Sequence, residues 1–110
     1  PISRASAPLM PAALAREMGR DQIPGIVSPD LPGQGYGYGF SVLRDPAAAG
    51  SPASPGTWRW GGVYGHSWFV DPAREVSVVA LTNTLYEGSR GRFVEDLRAA
   101  VYAALGQPPS

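Results

Sequence analysis

Fourteen glycines and twelve prolines stand among the 110 residues, and this punctuation limits where regular structure can form. Proline lacks the backbone donor and clashes inside a helix, while glycine gives up the most backbone freedom on folding. Both recur through residues 19–33, which read as a long surface segment holding at most short turns. Loops of that length often form functional walls. Residues 45–56, rich in Ala, Pro, Gly and Ser, read as a second, variable-looking loop. Residues 36–43 alternate glycine with aromatic side chains and end Phe40-Ser41-Val42-Leu43, the pattern of a strand closely approached by other backbone. Residues 57–60 resume a strand pattern until Gly61 and Gly62 interrupt it. Residues 66–70 and 75–82 are two further β-type runs joined by Asp71-Pro72-Ala73-Arg74, and they pair most simply as an antiparallel hairpin. Val76, Val78 and Ala80 would face one side of the last strand, with Val79 and Leu81 on the other, so both faces read as covered.

Two segments change period from two to 3.6. Leu9, Ala13, Leu14 and Met18 share one helical face behind Ser6 and Pro8, with Pro11 leaving the start open. Over residues 89–105, Phe93, Leu97, Ala100, Val101, Ala104 and Leu105 form an apolar stripe, and Gly106 and Pro108 stop it. The order predicts an α+β fold: about four antiparallel strands with the C-terminal helix packed across them. The organisation is one unit over residues 1–110: helix and long loop over 1–34, antiparallel strands over 35–83, closing helix over 89–106. That length suits one small domain or part of a larger one.

Composition removes several function classes. Nine basic residues, all of them arginine, balance nine acidic ones, so there is no basic excess to neutralise nucleic-acid phosphates or meet an anionic membrane. No apolar run is long enough to span a bilayer. Without cysteine there is no disulfide framework, thiol nucleophile or thiolate metal site. Without lysine there is no Schiff base, P-loop or lysine-assisted serine within the chain. The chain begins with Pro1 and no charged leader, which reads as a cut, processed or internal piece. The compartment is left open, with the cytoplasm favoured.

His66, the one histidine, stands in Gly65-His66-Ser67-Trp68-Phe69, a near miss of the nucleophile elbow with Phe69 where its second glycine belongs. A histidine adjacent to that serine cannot be the downstream base of such a fold, and one histidine with scattered carboxylates offers no metal-ligand spacing. His66 reads as a hydrogen-bonded residue at a strand start or as a site-lining one. The glycines at 33, 35, 37 and 39 lack both the spacing and the strand-to-helix context of a dinucleotide loop. The informative stretch is Trp60-Gly61-Gly62-Val63-Tyr64. A strand ending in paired glycines lets another molecule lie along its edge with backbone N–H and C=O groups available, which serves either a substrate clamp or an oxyanion donor, and equally an ordinary glycine bulge.

Gly37-Tyr38-Gly39-Phe40, Trp60-Gly61-Gly62, Ser67-Trp68-Phe69-Val70-Asp71-Pro72, Leu81-Thr82-Asn83 and the helix around Arg92 to Arg98 come in an order that resembles the C-terminal portion of the serine β-lactamase and penicillin-binding-protein superfamily. Within it the series is most similar to the family VIII carboxylesterases, over about residues 35 to 105. The resemblance implies a β-lactamase/transpeptidase-like fold and acyl transfer through a serine. The target is an ester of short acyl chains, with β-lactams a second substrate class left open, and no cofactor is implied. Trp60-Gly61-Gly62 stands where other members carry Lys-Thr-Gly. By resemblance the backbone N–H of Val63 is an oxyanion donor, Trp60, Gly61, Gly62 and Tyr64 bind substrate, and His66 is a further lining residue. The Ser-x-x-Lys motif is missing, since Ser41-Val42-Leu43-Arg44 ends in an arginine, and so is Tyr-x-Asn, since Leu81 lies two places before Asn83. Both are expected in an N-terminal part of the same hydrolase, in which case this chain alone is inactive. A non-catalytic binding module or a structural fragment is the alternative.

Overall fold

The computed structural model describes residues 9–26, 28–85 and 92–106. Three helices and five strands occupy them in the order α1 (Ala12–Met18), β1 (Gln34–Tyr36), β2 (Ser41–Leu43), α2 (Pro46–Ala49), β3 (Trp58–Gly61), β4 (Ser67–Asp71), β5 (Val76–Ala80) and α3 (Arg92–Leu105). The strands form one antiparallel sheet in sequence order, β1 to β5. The α+β expectation holds, with one strand more than expected. The single strand expected over residues 36–43 is instead the end of β1 and the whole of β2, because Gly39 takes φ 102° and Gly37 N–H donates to Phe40 O at 3.0 Å, turning the chain back on itself. The close approach expected there is present: Tyr38 N–H donates to Met18 O at 3.0 Å, and a Cβ on Gly37 would overlap that carbonyl.

The loop expected over residues 45–56 contains α2. Asp45 caps it by accepting from Ala47 N and Ala48 N, Pro46 opens it, and Gly50 closes it with φ 63°. α1 starts at Ala12 behind Pro11, while Ser6, Pro8 and the Ser89 start of the last helix lie outside the described residues. The 19–33 segment is tied down by backbone bonds at Gln22 and Gly33 and by one ion pair. Arg44 Nε meets Asp21 Oδ2 at 2.7 Å, Asp21 Oδ1 accepts Tyr36 N–H at 3.2 Å, and Arg44 Nη2 donates to Ile26 O.

α3 covers one face of the sheet. Ser67, Phe69 and Asp71 alternate as the buried residues of β4, and Phe69 stacks on Tyr102 of α3 with ring centroids 6.0 Å apart. Leu43 and Ala53 complete this core, with Ala49, Val78 and Val101 half-buried around it. Asp71 ties three elements together: its carboxylate accepts from Tyr102 OH at 2.5 Å, Ser54 N at 3.1 Å and Arg74 N at 3.1 Å.

The opposite face is aromatic near its centre and open toward β5. Phe40 stacks on Trp58 at 4.8 Å and meets Trp68 edge-on at 6.0 Å. A Cβ on Gly19 would enter the Trp58 ring, so the end of α1 lies against it. Val79 and Leu81 are 70% and 82% exposed. The expectation that both faces of the last strand are covered is therefore corrected. α3 and the strand's neighbours lie on the Val76, Val78 and Ala80 side, and nothing among the described residues lies over Val79.

Candidate active site

β3 carries the Trp60-Gly61 half of the motif and is paired unequally on its two sides. All four of its residues pair with β4, whereas only Trp58 and Arg59 pair with β2, which begins at Ser41. Gly62 N–H donates to His66 O at 2.9 Å. In an antiparallel ladder alternate residues aim their N–H and C=O groups at opposite neighbours, so Gly62, Trp60 and Trp58 bond toward β4. Arg59 and Gly61 point the other way. Arg59 O accepts from Ser41 Oγ at 3.1 Å, but on that side no strand of the described residues pairs with Gly61 and its backbone groups face an open edge.

A turn over residues 62–65 follows, closed by Gly65 N–H donating to Gly62 O at 3.1 Å. Val63 is its second residue. That position gives its N–H no role in closing the turn, and it meets no acceptor among the described residues. Val63 and Tyr64 are exposed at the tip, as is Trp60 on the aromatic face beside its cross-strand partner Trp68. His66 is exposed too, and its imidazole lies where a Cβ on Gly62 would stand. The structure thus brings Trp60, Gly61, Gly62, Val63, Tyr64 and His66 together at one end of the β3–β4 hairpin.

Residues 82–84 brace the turn from behind, a feature that the sequence reading missed. Thr84 N–H donates to Tyr64 O at 2.9 Å, and Gly65, at φ 103°, sits against Thr82 Oγ1 and the Thr84 backbone. The available signal was a glycine directly ahead of a strand. Gly65→Ala meets both a backbone clash and a left-handed φ, and is expected to cost about 1–3 kcal/mol of stability in urea unfolding. Gly62→Ala meets only the far end of the His66 side chain, which can swing away.

Ser41 and Arg44, the imitation of a nucleophile motif, do not form a catalytic pair. Ser41 is buried with its hydroxyl committed to Arg59 O, and Arg44 is committed to Asp21. Among the described residues no three His, Asp or Glu side chains are grouped to hold a metal ion. What the hairpin end offers chemically is an uncommitted backbone donor, an adjacent open strand edge and an exposed indole.

The description "Beta-lactamase" belongs to a family model that matches residues 5–103. The chain belongs to the beta-lactamase family. It is 53% identical over 100 residues to Esterase EstB of Burkholderia gladioli, covering 91% of this chain and 26% of that esterase. Its fold matches that of EstCE1, described as a hydrolase with promiscuous acyltransferase activity, with a TM-score of 0.78 and 44% identity over 88% of this chain and 26% of that one. The chain therefore spans about a quarter of the length of these relatives. The resemblance drawn from Trp60-Gly61-Gly62 and the elements around it holds, and this family member is most akin to its esterase branch.

Proposed function

We propose that this chain is the C-terminal part of a serine carboxylesterase of the β-lactamase-like type, and that it forms the oxyanion wall of the active site. The observation that carries the reading is the open half of β3, with the uncommitted N–H of Val63 directly after Trp60-Gly61-Gly62. In this reading a serine outside the chain attacks the ester carbonyl and bonds to its carbon. The carbonyl electrons move onto oxygen, where Val63 N–H accommodates the charge. Collapse expels the alcohol with a proton, and water then releases the acyl group from the serine. Such a donor is worth about 3–4 kcal/mol of transition-state stabilisation because it is aimed before the charge develops. Trp60 presents an uncharged ring where a cation would recognise a carboxylate, which suits neutral acyl esters.

The serine and its lysine and tyrosine partners would come from the remainder of the hydrolase, in the same polypeptide or a second one. The surface suits such a neighbour: among the described residues β5 pairs only with β4, and Val79 and Leu81 are exposed beside that edge. The test is hydrolysis of a short-chain nitrophenyl ester by the chain alone and by the chain together with its remainder. Turnover only in the second case is expected. Turnover by the chain alone would refute the division of labour, and none in either case would leave a binding module.

A further inference from the structure

The turn that carries the Val63 N–H is tied by backbone bonds at three points: Gly62 N–H donates to His66 O at 2.9 Å, Gly65 N–H to Gly62 O at 3.1 Å, and Thr84 N–H to Tyr64 O at 2.9 Å. In a trans peptide the N–H lies opposite the preceding carbonyl, so the aim of Val63 N–H is the tilt of the Gly62–Val63 peptide plane. One of the three bonds reaches that plane, through Gly62 O, and a single point leaves it free to tilt about the bond. The tilt is governed by ψ of Gly62 and φ of Val63, and glycine restrains its own backbone least. An oxyanion donor has to be aimed before the charge develops. A glycine directly ahead of it therefore needs a restraint from outside itself.

The ladder supplies one. Trp60 pairs with Trp68 and Gly61 with Ser67, which sets Gly62 opposite His66 on the aromatic face. The imidazole lies against Gly62, with Cε1, Nε2 and Nδ1 all crowding the place of the absent Cβ. We propose that His66 is a positioning residue for the oxyanion donor: its ring bears on Gly62 and limits the tilt of the peptide that aims Val63 N–H. The absent side chain at Gly62 and the ring at His66 are then one device, the first making room for the second. His66 is exposed, so the contact adds little to folding and its effect falls on turnover. The inference rests on the oxyanion reading of Val63 and adds to it a residue from the far side of the turn.

The test is a double-substitution cycle in the complete enzyme, read by steady-state rates on a short-chain nitrophenyl ester. His66→Ala is expected to lower kcat about tenfold, with KM changed much less. His66→Phe restores a flat ring and is expected to recover most of that loss, because the contact is steric. With Val63→Pro already in place there is no donor to aim, and His66→Ala is expected to cost nothing further. A His66→Ala enzyme with normal kcat, a His66→Phe enzyme as slow as His66→Ala, or the same loss from His66→Ala with and without the Val63 N–H would each overturn the proposal. The His66 role and the oxyanion reading fail separately. A slow Val63→Pro enzyme beside a normal His66→Ala enzyme removes the His66 role alone, whereas a normal Val63→Pro enzyme removes the donor and the role together.

Discussion

Val63→Pro in the complete enzyme is expected to lower kcat by about two to three orders of magnitude while leaving the fold intact. The reason is that proline removes one atom of consequence, the amide hydrogen, and its fixed φ suits the second position of a β-turn. The turn over residues 62–65 closes through Gly65 N–H and Gly62 O, neither of which the substitution touches. The size of the loss is that of one oxyanion donor, about 3–4 kcal/mol. If, as proposed, the donor acts on charge that develops in the transition state, KM should change much less than kcat. Val63→Ala keeps the N–H and should keep most of the activity. Steady-state rates on a short-chain nitrophenyl ester, with circular dichroism to confirm folding, separate the two variants. A Val63→Pro enzyme with near-normal kcat would mean that the oxyanion sits elsewhere.

The largest effect on stability is expected at Asp71→Ala, a loss of about 3–5 kcal/mol, which is a large part of what holds a small domain together. Asp71 is fully buried, and its carboxylate accepts from the Tyr102 hydroxyl, Ser54 N and Arg74 N. Removing it orphans three donors where α3, the loop before β3 and the β4–β5 turn converge. Burial pushes the Asp71 carboxyl up, but the donors of Tyr102, Ser54 and Arg74 together outweigh it and hold the pKa below its ordinary value. For Tyr102 the same burial, followed by the Asp71 carboxylate, raises the phenol, so it remains a donor at neutral pH. A carboxyl whose folded pKa lies below its unfolded one, about 4, contributes stability above that value and loses it as pH falls through the folded one. Urea midpoints should therefore be flat through neutrality for this group and fall only below about pH 4. In Asp71→Asn that acid-side fall should be smaller. Tyr102→Phe, which removes one of the three donors together with its acceptor bond, should cost less than Asp71→Ala.

What the sequence made legible was whatever rested on period and punctuation. The stripe from Phe93 to Leu105 predicted a helix, and α3 runs Arg92–Leu105, but the face was misjudged: the buried residue is Tyr102, outside the stripe, while Ala100, Ala104 and Leu105 of the stripe are exposed. Asp71-Pro72-Ala73-Arg74 read as a hairpin turn and joins β4 to β5. The Asp71 side chain was less legible, because a turn residue gives no sign that its carboxylate points inward to a tyrosine 31 positions away. α2 was missed although Asp45, Pro46 and Gly50 spell its cap, opening and stop, since composition was weighed over position. At the site, the order of residues 60–66 showed that an edge was on offer. It did not show which backbone groups face it. That follows from β2 starting at Ser41, a consequence of the tight turn at Gly39.

The most direct measurement is a crystal structure of the complete enzyme inactivated by a phosphonate ester, whose tetrahedral phosphorus imitates the acyl-transfer intermediate. The account predicts phosphorus bonded to a serine outside these 110 residues, with the phosphonyl oxygen about 2.7–3.1 Å from Val63 N and its ester group beside Trp60. Phosphorus on a serine of this chain, or a phosphonyl oxygen turned away from Val63, would contradict it.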